Sequence, residues 1–234
     1  MEYRKYLDKL DSCTSNKYKK YFDRSLYCMG VFLPSYHSKN HMDLELSLLT
    51  VSYLVGRKDM ASARFLGPLV AFLLKNKTLV NKQKLKKMWS YFGEEKVPLM
   101  RLVMFLLGST PKGDYPPFYL DLRMKPLVDR KLEAEGFFMN LPRSLGLMLP
   151  SNSLRVREDD LLSDDLLFSR NPQLKERLFL GPSFRADVNF QLKRNPSTSA
   201  SDLEKRFAMT HEPAFRLLNE LKRAYSVNKG QAAV

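Results

Sequence analysis

The chain has 234 residues, 44% of them hydrophobic, and a formal net charge of +14 at pH 7. This hydrophobic content excludes an intrinsically disordered protein, and the length allows one large domain or two small ones. The positive charge favours a polyanionic partner, either nucleic acid or an anionic membrane surface.

The sequence also argues against secretion, membrane insertion and metal binding. Residues 1–10 are too charged for a secretory signal, and the apolar runs 65–74 and 97–107 are too short to span a bilayer. Cys13 and Cys28 have no neighbouring metal ligands, and such low cysteine use fits a reducing compartment. We therefore expect a cytoplasmic protein with no cofactor, no metal and no membrane contact.

Residues 1–110 are predicted to form a helical domain. An apolar stripe at spacings of three and four residues starts at Leu44, and Gly56 ends it. Further helices are predicted over 61–75, with a kink or a late start at Gly67-Pro68, over 82–92, and from Pro98 to Leu107. Helices of these lengths predict a compact bundle.

Residues 111–170 are predicted to be a proline-rich packed connector with one or two helices. One of them is expected between Leu122 and Phe138. The acidic run from Glu158 to Asp165 alternates with leucines, which predicts an amphipathic helix with a solvated acidic face. The alternative is that these carboxylates serve a nucleic-acid enzyme.

Residues 171–234 have the spacing of a helix-turn-helix. One helix is expected from about Phe184 to Arg194, and Ser199 or Ser201 is expected to cap the next. A shared face of Leu203 and Phe207 defines this short helix. The turn Ala208-Met-Thr210 follows, and Thr210 is placed to cap the last helix.

The last helix has a buried stripe that consists of Ala214, Leu217, Leu218 and Leu221. After it, residues 225–234 are predicted to form a very short hairpin, because Asn-Lys-Gly suits a tight turn.

These motifs, covering about residues 174–234, resemble the winged helix-turn-helix family of bacterial transcription regulators. The resemblance implies a mainly α fold: an N-terminal helical bundle followed by a winged helix-turn-helix with a minimal or absent wing. It also implies that the helix from Thr210 to Ala224 binds duplex DNA in the major groove.

If the domain docks as the family does, the front of the last helix reads bases. The base-reading candidates are His211, Glu212, Pro213, Phe215 and Arg216, of which Arg216 can pair guanine through its guanidinium fork. The candidates for phosphate contacts are Lys193, Arg194, Lys205, Arg206, Thr210, Lys222, Arg223 and Lys229.

Most of the positive charge lies outside this region. Residues 1–110 carry 19 Lys and Arg against 9 Asp and Glu, an excess of ten. The lysines Lys82, Lys84, Lys86 and Lys87 are expected to form a basic surface that adds affinity for a polyanion. The N-terminal domain is also expected to bind a second copy of the chain or a protein partner.

No catalytic residue is predicted. His37 and His41 lie in a polar stretch, His211 stands alone, and neither a phosphate-binding glycine loop nor a nucleophile elbow is present. The function indicated is a DNA-binding regulator. The alternative is a non-enzymatic protein whose winged domain contacts another protein.

Overall fold

The computed structural model describes residues 3–13, 15–31, 42–56, 65–109, 118–119, 147–148 and 160–231. Within these ranges the chain is mainly α-helical, as predicted. None of the helices there combines the length and the apolar character that crossing a lipid bilayer requires.

Six helices form the N-terminal part of the structure. Their bounds are α1 Tyr3–Asp11, α2 Ser15–Cys28, α3 Leu44–Val55, α4 Leu66–Asn76, α5 Lys82–Phe92 and α6 Met100–Leu106. The predicted end of α3 at Gly56 and both predicted ends of α5 are confirmed. The helix predicted from residue 61 begins at Leu66, which fits the late start expected from Gly67-Pro68.

Helix α3 is the centre of this part, because every one of its residues is buried. Asp43 caps it by accepting a hydrogen bond from the Leu46 amide, and α2, α4, α5 and α6 pack around it. Its polar residues bond to nearby groups: the Thr50 hydroxyl, for example, donates to the Leu46 carbonyl at 2.7 Å. The apolar stripe predicted from Leu44 covers one side of α3, whereas the structure buries the helix on all sides.

Little of the predicted connector is described. Two-residue strands β1 (Phe118–Tyr119) and β2 (Leu147–Met148) pair in parallel, with Phe118 opposite Leu147. Helix α7 spans Asp164–Arg170 and buries Leu167, while Asp164 forms an ion pair of 2.9 Å with Lys75.

Several predictions lie outside the described residues. These are the helix between Leu122 and Phe138, the stretch with His37 and His41, residues 57–64, and the carboxylates Glu158 and Asp159.

Four helices form the C-terminal part. Their bounds are α8 Pro172–Leu180, α9 Phe184–Arg194, α10 Ala200–Phe207 and α11 His211–Gln231. Both ends of α9 were predicted correctly. Ser199 caps α10 in a capping box with Asp202, which decides between the two serines considered.

The hairpin predicted at residues 225–234 is wrong, because α11 continues through its first strand and turn to Gln231. A glycine late in a helix costs only about 1 kcal/mol relative to alanine. An established helix of five turns can propagate through it, since each added residue gains a hydrogen bond without a new nucleation cost.

Two hydrophobic clusters hold the described structure together. The first contains the buried side chains of α1–α6, and Leu174 of α8 joins it. The second lies between α9, α10 and α11 and includes Val188, Leu203, Phe207 and Leu218. The domain bounds 1–110, 111–170 and 171–234 remain a prediction.

Candidate nucleic-acid interface

Helices α10 and α11 are joined by three residues and share one core. Leu203 of α10 is fully buried, and Ala214 and Leu218 of α11 pack in the same cluster. In the turn between them Ala208 adopts the left-handed conformation, with φ of 56°. This short connection turns the chain so that α11 presents its other face to solvent.

The base-reading candidates lie at the start of α11 and are accessible. His211, Glu212 and Arg216 are exposed, Pro213 is half-buried, and 55% of the Phe215 surface is exposed. The rings of His211 and Phe215 stack with centroids 6.5 Å apart. These residues thus form one accessible surface around the first turns of α11.

Two arginines point directly away from the core. Arg216 and Arg223 are seven residues apart, so they share a face of α11 with a rise of about 10.5 Å between them. Both are exposed, and neither guanidinium forms a hydrogen bond or ion pair with any residue of the described ranges. They are therefore available to a ligand.

Other phosphate candidates are partly engaged within the protein. Lys193 Nζ lies 2.7 Å from the Glu176 carboxylate, and Lys222 Nζ donates to the Thr198 carbonyl at 3.4 Å. The Arg194 guanidinium lies 5.4 Å from the centroid of the Phe190 ring.

The remaining candidates differ in exposure. Lys205 and Thr210 are exposed. Arg206 is half-buried, and burial lowers its pKa from the ordinary arginine value. Lys229 lies in the last turns of α11, and its side chain is outside the described residues.

A buried cluster of charges connects the C-terminal helices to the N-terminal bundle. Arg177 of α8 donates to both oxygens of Glu45 on α3, at 2.6 and 2.8 Å, and its Nη2 donates to Asp187 of α9 at 2.8 Å. Lys84 of α5 bonds to Asp187 at 2.7 Å and to Asp43. We call these five residues the ion cluster.

The ion cluster holds α8 and α9 against α3 and α5, and α10 and α11 in turn pack on α9. Four of its side chains have no exposed surface, and the fifth, Asp43, is 12% exposed. Gln173 completes it by donating to Asp187 at 2.6 Å. Because a buried charge without a partner costs several kcal/mol, these contacts fix how α8 and α9 meet α3 and α5.

Sequence reasoning missed the ion cluster and assigned Lys84 to a basic surface, which is wrong because Lys84 is fully buried. Its ammonium also lies 4.6 Å from the centroid of the Phe207 ring. A signal was present in the sequence: Glu45 and Asp187 interrupt apolar runs at positions where a charge needs a buried partner.

The three carboxylates of the cluster, Asp43, Glu45 and Asp187, are close enough together to hold a metal ion. The Lys84 ammonium already lies 3.2 Å from Glu45 and 2.7 Å from Asp187, and the Arg177 guanidinium bonds to both. Two cations thus occupy the position that a metal would take, and the chemistry is that of a buried ion-pair network.

The environment shifts the pKa values of two carboxyls in opposite directions. Burial alone would raise the pKa of Glu45, but the charges of Arg177 and Lys84 outweigh it, so this pKa lies well below the ordinary range. Burial raises the pKa of Asp43, and Lys84 only partly offsets it. Glu45 is therefore ionised at neutral pH.

Stability is expected to fall in acid because of Glu45. Its depressed pKa contributes stability that is fully present above the ordinary glutamate value, about 4.3, and is lost as pH falls. The loss should reach about 1.4 kcal/mol per pH unit. Asp43 has the opposite sign, so its contribution is lost as pH rises above the ordinary aspartate value.

Urea unfolding of the parent protein and of Glu45→Gln between pH 7 and pH 3 tests this. The difference in unfolding free energy between the two should shrink below pH 4.3, while the exposed control Glu95→Gln should follow the parent. A constant difference across this range would contradict the assignment.

Comparison of the chain with protein-family models, with curated proteins and with solved structures gave no match.

Proposed function

We propose that this protein binds duplex DNA through α11 and acts in the cytoplasm as a transcriptional regulator of the winged helix-turn-helix type, with a minimal or absent wing. The observation that carries the proposal is the pair Arg216 and Arg223. Two exposed guanidinium groups on one face of a helix, with no partner among the residues that the structure describes, match what a nucleic-acid groove binds.

The helix has dimensions that support this docking. A long helix, with its outer face free over several turns, fits the width of the DNA major groove. The ion cluster and the core beneath α11 hold the helix at a fixed orientation, which a base reader needs. Lys205 is exposed on α10, the helix that packs against α11, which supports its role as a phosphate contact.

Two acidic side chains on α11 oppose the binding of a polyanion to this helix. Glu212 and Glu220 are both exposed on α11, and the Glu220 carboxylate bonds to Arg185. Arg185 offsets the charge of Glu220, and Glu212 lies in the first turn, where the helix dipole stabilises it. Glu212 lies four residues before Arg216, so a docked phosphate must approach the two arginines beside this carboxylate.

Arg216→Ala provides the test. The parent protein is first used to select its best site from a randomised duplex library. We expect Arg216→Ala to lose about 1–3 kcal/mol of binding free energy on that site and to relax the preference at one base pair. Its thermal stability should stay near that of the parent, because an exposed helical arginine contributes little to folding.

Lys205→Ala is the matched control, because a phosphate contact weakens binding to every duplex alike. Parent affinity should also fall steeply between 50 and 200 mM salt, since phosphate contacts release counterions. Absence of duplex binding by the parent, or identical site preference in Arg216→Ala, would refute the proposal.

A second candidate function is supported by exposed apolar side chains. Phe215 is 55% exposed, and Phe179 at the end of α8 is 86% exposed between the exposed Leu178 and Leu180. Large apolar residues in water indicate a protein-contact surface. If the parent binds no DNA, we expect the exposed aromatic side chains to bind a protein partner instead. The affinity for that partner should change little with salt.

A further inference from the structure

The outer surface of helix α1 borders the start of the candidate reading helix. Helix α1 packs against both α5 and α10. Helix α10 carries Glu204, whose carboxylate lies 3.7 Å from Nδ1 of His211 in the first turn of α11. The packing of α1 against α10 therefore brings α1 close to the start of α11.

Two aromatic rings hold Arg4 in place. Its Nε donates to the Tyr3 hydroxyl at 3.1 Å, and its guanidinium carbon lies 5.0 Å from the centroid of the Tyr91 ring on α5. A guanidinium stacked on rings in this way keeps its charge directed to solvent and needs no carboxylate partner.

Helix α5 extends the same surface. Lys84 contacts the Phe207 ring at the end of α10, and Tyr91 carries Arg4. Lys87 lies one helical turn from each of these two residues and is exposed. The side of α5 that carries Lys84, Lys87 and Tyr91 thus faces α10 and α1.

This surface has a clear excess of positive charge. We use the name α1–α5 face for the solvent-exposed surfaces of both helices; its cations are Arg4, Lys5, Lys9, Lys82, Lys86 and Lys87, and Lys87 is on the side of α5 towards α1 and α10. The exposed carboxylates on the two helices are Asp8 and Asp11, and Asp11 already bonds to Lys96 at 2.5 Å. Six cations against two carboxylates give an excess of four.

We propose that the α1–α5 face binds the phosphates of DNA that flank the segment contacted by α11. This inference rests on the proposed function, and it extends the contact from one helix to a second surface on the same side of the molecule. Lysine and arginine side chains at a duplex edge bind phosphates without reading bases, so the face adds affinity but not sequence preference. Glu204 lies on α10, between the α1–α5 face and the start of α11.

The test is charge reversal with a matched control. Lys86→Glu/Lys87→Glu alters the α1–α5 face, and Lys19→Glu/Lys20→Glu makes the same change in net charge on α2, which packs against α3 and α7. All four lysines are exposed. Binding is measured on the selected site in a short duplex and in one extended by about ten base pairs on each side, at several salt concentrations.

We expect the parent to bind the extended duplex more tightly than the short one, and Lys86→Glu/Lys87→Glu to remove that gain. Loss of two phosphate contacts should weaken binding on the order of tenfold or more at 0.1 M salt and reduce the salt slope by about 2. Site preference should stay unchanged, and Lys19→Glu/Lys20→Glu should retain most of the gain.

The outcomes separate the inference from the function. Equal losses in the two double variants would show a general charge effect and overturn the inference, while Arg216→Ala could still report base reading. An unchanged gain in Lys86→Glu/Lys87→Glu would also overturn it. A parent that binds neither duplex refutes both the inference and the proposed function.

Discussion

Arg177→Met should lower the free energy of unfolding by about 3–5 kcal/mol, measured by urea denaturation at pH 7. The guanidinium makes the bidentate contact with Glu45 and also bonds to Asp187, and all three side chains are fully buried. Methionine fills much of the volume but leaves two buried carboxylates with Lys84 as the main remaining cation. A loss of this size is a large fraction of a typical domain's stability.

Lys175→Met on the same helix is the control, because Lys175 is exposed and a change there should stay within about 0.5 kcal/mol. Arg177→Met/Glu45→Leu should recover part of the loss, since replacing both partners by apolar groups removes the uncompensated charge. Losses that simply add in the double variant would show that the two residues do not interact, contrary to the observed contacts.

Leu218→Asp should unfold the second hydrophobic cluster, at a cost of several kcal/mol. Leu218 is 5% exposed and packs with Leu203 and Phe207, so an aspartate at this position would place its carboxylate in an apolar core. A buried charge without a partner is among the most destabilising of substitutions. Arg223→Asp, on the exposed face of the same helix, should leave the fold intact.

The single tryptophan makes this result informative about domain boundaries. Trp89 is buried in the first cluster, so its fluorescence reports on the N-terminal part, while far-UV circular dichroism reports on all helices. We expect Leu218→Asp to lose helical signal while Trp89 emission stays native-like. Simultaneous loss of both signals would show one cooperative unit, coupled through the ion cluster, and would contradict a boundary near residue 171.

Local signals predicted individual helices well where they agreed with the packing. The bounds of α5 were predicted correctly because its apolar stripe lies between the cap Asn81 and the terminating Gly93. The end of α9 was predicted correctly because Asn195-Pro196 follows it, and proline cannot continue a helix. The hairpin prediction at residues 225–234 failed because Asn-Lys-Gly is a weak turn signal, and continuation of an existing helix to Gln231 is favoured over it.

The candidate site likewise has one part that the sequence predicts and one part that only the structure shows. The exposure of Arg216 follows from the helical period of Ala214, Leu217, Leu218 and Leu221, since a buried stripe determines which side is left in water. The packing of α1 against α10 could not be predicted in this way, because the two helices lie at opposite ends of the chain and no local pattern connects them.

The sequence by itself determined that this protein is mainly helical, where several helices begin and end, and which side of α11 is apolar. These properties depend on contacts between residues at most four positions apart in the chain, and the periodic spacing of apolar residues reveals such contacts. Only the tertiary structure decided that Lys84 is buried with Asp43, Glu45, Arg177 and Asp187, and that α1 borders α10. A charge in an apolar run signals that it needs a partner, but the partner's identity depends on which distant helices meet, and that is set by packing of the whole chain.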